Sequence, residues 1–230
     1  MNRLLRFSGE AGWTAAVLSG FTAAVEAAAG RGQLAFHASL AGGRTPEPAY
    51  RALAAAPSLA ALSGKIRIHL WVGDERDVPA DSPMRNGRMI SKVLGEGAAA
   101  ARWKSPPEIH LWPEGSREDA CALYAREMIA SMGEPPVFDL ALLGMGADGH
   151  TAGIFSPEAS AREPLALPTT APTEPKMRMT MSAGLLKTSR NTMVLVGGTE
   201  KLAALEAVLK GASFPLSLAL GARSAFYYLE

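Results

Sequence analysis

The 230-residue chain has a single cysteine, Cys121, so no intrachain disulfide braces it and no cysteine cluster can hold a metal. It also lacks an excess of either charge: 23 basic residues against 22 acidic leave a formal +1. No broad field therefore draws it to nucleic acid or an anionic membrane, and any anionic ligand must be met locally. Long hydrophobic runs are missing too. No uncharged apolar stretch approaches the ~18 residues of a membrane span, and the opening MNRLLRFSGEAG lacks the apolar core of roughly 7–15 residues that a secretory signal carries. These absences predict a cytoplasmic protein with neither a nucleic-acid nor a membrane partner.

The length suits one sizeable core, so a single domain over residues 1–230 is expected. Alanine is abundant early in the chain, which favours helix without specifying an activity. Trp13, Val17, Leu18, Phe21 and Val25 fall at helical spacing within 11–29, and Gly30 and Gly32 end that helix. A strand at 33–41, a glycine turn at 42–46 and a helix from Pro46 to about Ala56 follow. The unit recurs. Strands are predicted at 66–72, 108–112, 138–143, 178–181, 192–196 and 225–229, with helices through Met89–Leu94 and at 117–132, 183–187 and 200–209. Cys121 lies in the helix at 117–132 and reads as a buried structural thiol. Residues 73–85 read as a polar loop, and Glu158–Lys176, with four prolines, as an extended surface connection. This alternation predicts an α/β fold with a Rossmann-like, mostly parallel sheet flanked by helices.

Candidate chemistry collects in the loops after the strands, where open α/β sheets bind ligands. His150 follows an apolar strand in FDLALLGMGADGHTAGIF, residues 138–155. An unperturbed imidazole titrates near ~6.5 and can take a proton from water without a metal. Asp148 either orients that imidazole or caps the turn. His37, His69 and His110 fall inside predicted strands and read as hydrogen-bonded structural imidazoles. Gly42, Gly43, Arg44 and Thr45 lie between a strand and a helix start, where backbone N–H groups and the helix N-terminus favour a phosphate; a plain capped turn is the alternative. Gly197, Gly198 and Thr199 repeat that pattern, with Lys201 in the first helical turn, against the helix dipole unless an anion binds. The loop GDERD puts Asp74 and Arg76 on the same sheet edge if the strands are parallel. No His-x-x-x-His or Cys-x-x-Cys spacing supports a metal, so neither metal nor cofactor is expected.

Taken together, AGGRTP (41–46), GDERDVP (73–79), the 138–155 block, KMRMT (176–180) and VGGTEKLAAL (196–205) resemble the 6-phosphogluconolactonase family, in its order and across nearly the whole chain. The resemblance implies the fold shared with glucosamine-6-phosphate deaminase and ribose-5-phosphate isomerase. It also implies hydrolysis of 6-phosphoglucono-1,5-lactone, the second step of the oxidative pentose phosphate pathway. By position, it makes His150 the general base and sets Asp74 and Arg76 in the active site. Gly42–Thr45 and Lys201 are expected around the phosphate. Arg76 or the loop N–H groups of Gly144–Gly146 would meet the oxyanion. The partner is then a small sugar-phosphate lactone, and the protein a monomer or weak homodimer. Arg44 stands where relatives often carry serine, and Arg85, also a serine position, is assigned no role. Two alternatives remain: a hexosamine-phosphate deaminase or isomerase, and a non-catalytic sugar-phosphate-binding protein. The deaminases carry a glutamate soon after the histidine, whereas here the first carboxylate after His150 is Glu158.

Overall fold

The computed structural model describes residues 3–155 and 164–230. Strand β1 (Arg3–Phe7) leads into helix α1 (Glu10–Gly30), then β2 (Ala35–Leu40), α2 (Glu47–Ala55), α3 (Pro57–Leu62) and β3 (Arg67–Val72). A short β4 (Asp74–Arg76) precedes α4 (Asn86–Ile90), which passes through a π-helical turn at Ser91–Glu96 into α5 (Gly97–Ala100). Next come β5 (Glu108–His110), α6 (Arg117–Met132), β6 (Leu140–Gly144), β7 (Ala166–Thr170), β8 (Met177–Met181), α7 (Ala183–Lys187) and β9 (Thr192–Gly197). A 3₁₀ turn at Thr199–Lys201 opens α8 (Leu202–Leu209), and α9 (Pro215–Ala219) and β10 (Ser224–Leu229) follow.

Seven strands form one sheet in the order β1-β10-β9-β6-β2-β3-β5, and every pairing in it is parallel. The expected α/β architecture is present. The buried strands carry apolar residues on both faces, as a parallel sheet covered by helices requires. On one face Phe21 of α1 meets Phe36 edge-on, with ring centroids 5.4 Å apart. On the other, Tyr124 of α6 meets Trp71 at 5.6 Å, and its hydroxyl donates to the carbonyls of Val72 and His110. Cys121 is buried on α6, and burial pushes its thiol up to about 12. A buried carboxylate, Asp139, ties the opposite end together, accepting from Arg31, Gln33 and the backbone N–H of His37.

Two expectations need correction, and one strand lies where none is predicted. β1 lay in a segment read only for its lack of a signal; Arg3 and Arg6 break the period-2 apolar signal, because an edge strand buries only part of itself. Residues 74–76, expected in a polar loop, form β4, the edge of a second, antiparallel sheet ordered β4-β8-β7. The connection expected over 158–176 contains β7, paired antiparallel to β8. Pro168 is tolerated there because β7 is itself an edge strand. Residues 158–163 of that connection lie outside the described residues.

His37, His69 and His110 do sit in strands and are hydrogen-bonded: Trp71 Nε1 donates to His37 Nδ1 at 3.2 Å, and His69 Nδ1 lies 3.0 Å from His110 Nε2. Burial, aided by neighbouring cationic groups, lowers His37 to about 4. Among the described residues no helix is long and apolar enough to cross a membrane.

Asp139→Ala leaves the cations of Arg31 and Arg190 and the His37 N–H without their shared acceptor. A loss of roughly 2–4 kcal/mol in unfolding free energy is expected, measured by urea denaturation.

Candidate active site

The chain runs outward from β2 to β3 and β5, then returns to the other side of β2 with β6 and continues to β9. The loops after β2 and β6 therefore diverge and leave a crevice at the carboxyl ends of the strands. A cleft of about 330 Å³ opens there, bordered by Gly42, Gly43, Arg44, Thr45, Asp74, Arg76, Gly144, Gly146, His150 and Lys201. Residues up to 159 positions apart in sequence thus share one wall-to-wall site, with Asp148 just behind the imidazole.

His150 Nδ1 lies 2.5 Å from Asp148 Oδ1, and the same oxygen accepts the His150 backbone N–H at 3.2 Å. Asp148 thus shapes the turn and orients the ring at once. Burial pushes the Asp148 carboxyl up, but its hydrogen bonds with His150 outweigh this, and it ends below the usual carboxylate range. A carboxylate held on Nδ1 keeps the proton there and leaves the lone pair on Nε2. The ring lies close over its own loop: a Cβ at Gly146 would stand 2.3 Å from two imidazole atoms. Gly146 therefore admits the imidazole. Its N–H donates to the His150 carbonyl at 2.9 Å, which removes it as an oxyanion donor.

The Asp74–Arg76 wall is fixed by a residue that sequence reasoning passed over. Glu75, 1% exposed, accepts the backbone N–H groups of Arg76, Asn86 and Gly87 at 2.9, 2.7 and 2.8 Å. Arg85 Nε, 3.5 Å away, adds an ion pair. This knot brings Asn86 against the cleft, where its amide donates to the Asp74 carbonyl and carboxylate. The approach is so close that a Cβ at Gly42 would stand 2.0 Å from the Asn86 side chain. Asn86 borders the cleft, and only the contact with Gly42 would have pointed to it.

The cleft is electrostatically unsettled. Burial lifts Asp74 from the ordinary 3.8 to about 6, with Arg76 opposing the shift. Arg76 faces Arg178 across the β4–β8 pair, a like-charge juxtaposition that the nearby Asp74 and Glu75 carboxylates offset in part. Arg76 Nε and Arg178 Nη1 are buried without a hydrogen-bond partner among the described residues. Burial, and then Arg76, pulls the Arg178 guanidinium down. Lys201, half-buried, is lowered by burial, with Glu200 opposing. The cradles after β2 and β9 meet, since Thr45 Cγ2 would lie 3.2 Å from a Cβ at Gly197. Together these cations and backbone turns suit a bound oxyanion.

Two outcomes are expected. Asp74 ionises near 3.8 when unfolded and near 6 when folded, so its contribution to stability falls as pH rises from about 4 to about 6. Asp74→Asn should match the parent near pH 4 and exceed it by roughly 3 kcal/mol at pH 7 in urea denaturation. Gly146→Ala should lower turnover roughly 10²-fold by displacing the imidazole, while the unfolding midpoint hardly moves.

A family model described as "Glucosamine-6-phosphate isomerases/6-phosphogluconolactonase" matches residues 10–227. The 6-phosphogluconolactonase of Thermotoga maritima is 36% identical over 196 residues, spanning 83% of this chain and 82% of the relative. That of Pseudomonas putida is 37% identical over 180 residues, 75% of this chain and 69% of the relative. A crystal structure of the Thermotoga maritima 6-phosphogluconolactonase superposes with a TM-score of 0.84 at 31% identity, covering 100% of this chain and 99% of that one. A monomeric glucosamine-6-phosphate deaminase, at 19% identity and TM-score 0.75, shares the fold. With this match along the chain, and with its glycine loops and histidine gathered at one crevice, the protein belongs to the glucosamine-6-phosphate isomerase/6-phosphogluconolactonase family.

Proposed function

We propose that the protein hydrolyses 6-phosphoglucono-1,5-lactone to 6-phosphogluconate, the second step of the oxidative pentose phosphate pathway. It would act in the cytoplasm, as one catalytic domain over residues 1–230 and as a monomer or weak homodimer. The observation that carries this reading is the His150–Asp148 pair at 2.5 Å, set in the same cleft as Lys201 and the Gly42–Thr45 turn.

A δ-lactone is an activated ester, so it needs a base for water, a stabilised oxyanion and an anchored ring. His150 Nε2 takes a proton from water as the water oxygen attacks C1. The carbonyl oxygen becomes the oxyanion, and Arg76, a guanidinium bordering the cleft, is the donor suited to it. Collapse breaks the bond between C1 and the ring oxygen, which leaves as the C5 hydroxyl after taking the proton back from Nε2. The new carboxylic acid then ionises. Arg44, Thr45 and Lys201 hold the 6-phosphate, which fixes C1 against the base.

Freshly generated lactone should be hydrolysed well above its spontaneous rate, with unphosphorylated gluconolactone a poor substrate. His150→Asn should lower kcat by ~10²–10⁴-fold, the usual worth of general acid–base catalysis. Near-normal turnover in that variant would remove the mechanism. Ammonia release from glucosamine 6-phosphate at a comparable rate would replace the proposed reaction with deamination.

A further inference from the structure

The fold also gathers a second set of titratable side chains that the cleft does not use. His69 on β3 and His110 on β5 project from neighbouring parallel strands, with Glu108 beside them on β5. Their ligand-capable atoms converge. His69 Nδ1 lies 3.0 Å from His110 Nε2, Glu108 Oε2 lies 3.5 Å from His69 Nδ1, and Glu108 Oε1 lies 3.8 Å from His110 Nε2. Ligands bonded tetrahedrally to zinc at ~2.0–2.1 Å stand about 3.3–3.4 Å from one another; these closest approaches bracket that spacing, the two from Glu108 being made by different carboxylate oxygens, and one atom from each residue can be drawn within 4.8 Å of the others.

A second contact prepares the site. His110 Nδ1 is 2.5 Å from Glu127 Oε1 on α6, so the proton stays on Nδ1 and the Nε2 lone pair turns toward Glu108 and His69. This carboxylate behind a histidine is the arrangement that fixes the tautomer of metal-bound imidazoles. His110 is also held flat against Trp71, with ring centroids 3.6 Å apart and planes 4° from parallel. At His69, moving the Nδ1 proton to Nε2 converts a hydrogen-bond donor into a ligand. The two imidazoles are nearly buried, whereas Glu108 is 63% exposed on the last strand of the sheet, which leaves a solvent approach and a fourth position for water.

We propose that His69, His110 and Glu108 form a site for one divalent transition-metal ion, with zinc as the best chemical match, separate from the catalytic cleft. Two nitrogen donors disfavour calcium and magnesium, which take oxygen ligands. The bound ion would pin the three-residue strand β5 to β3, with α6 braced behind it through Glu127.

Metal-stripped protein titrated with Zn²⁺ by calorimetry should bind one equivalent, and Co²⁺ should give the visible absorption of a tetrahedral complex. Zn²⁺ at a hundredfold excess over Kd should raise Tm by several degrees. The His150→Asn variant should keep this equivalent. Glu108→Ala, at an exposed position, should fold normally and hydrolyse lactone normally while binding at least tenfold more weakly. Glu127→Gln should weaken binding by ~10–100-fold through the loss of orientation. His69→Asn should abolish binding, and if it does not fold, Glu108→Ala decides. Absence of a stoichiometric ion, or an ion lost in His150→Asn but retained unchanged in Glu108→Ala, would overturn the assignment.

Discussion

The reversal of strand order between β2 and β6 is the constraint on which the site depends. Adjacent parallel strands whose following segments run in opposite directions cannot cover the gap between their carboxyl ends, and every functional loop borders that gap. The loop after β2 supplies a glycine turn, the loop after β6 supplies the imidazole, and β9 contributes a second turn from the far side of β6. The charged wall comes from the strand β4, which leaves the large sheet just after β3 and joins a smaller one.

Asp74 and Glu75 show how neighbouring carboxylates are given different conditions by their surroundings. Glu75 is buried but receives three backbone N–H groups and lies beside a guanidinium, so both of its oxygens have donors. Asp74 is buried with, among the described residues, one side-chain amide as its hydrogen-bond donor, and its charge is costly. One acid holds the wall in place; the other carries the destabilisation that a site poised for an external partner tends to retain. Arg76 Nε and Arg178 Nη1, without hydrogen-bond partners among the described residues, express the same imbalance with the opposite sign.

Much of this is legible in the sequence. The apolar runs of β2, β3, β6 and β9 and the glycine turns that follow them carry strong local signals, and parallel topology brings those turns to one edge. What escaped depends on distant partners. β4 is a strand because its backbone pairs with β8, 102 to 106 residues onward, and no pattern within DERD encodes that partner. β1 and β7 are edge strands, whose pattern is diluted by charge or proline. The two roles left open for Asp148 proved compatible, since one oxygen serves both. The cluster of His69, Glu108 and His110 has no sequence spacing to betray it, because 41 residues separate the two histidines and only strand pairing makes them neighbours.

The ends of the large sheet bear on how copies of the chain can meet. One margin is β5, only three residues long with an exposed glutamate, and the other is β1, five residues long with exposed Arg3 and Arg6. Arg6 is further anchored by Glu206 and the face of Tyr228. Neither margin offers a long, uncharged ladder of free backbone groups, so edge-to-edge pairing, the common route from a parallel sheet to fibrous aggregate, is closed at both sides. Self-association of this chain, if it occurs, falls to helix and loop surfaces or to the edges of the smaller sheet, β4 and β7.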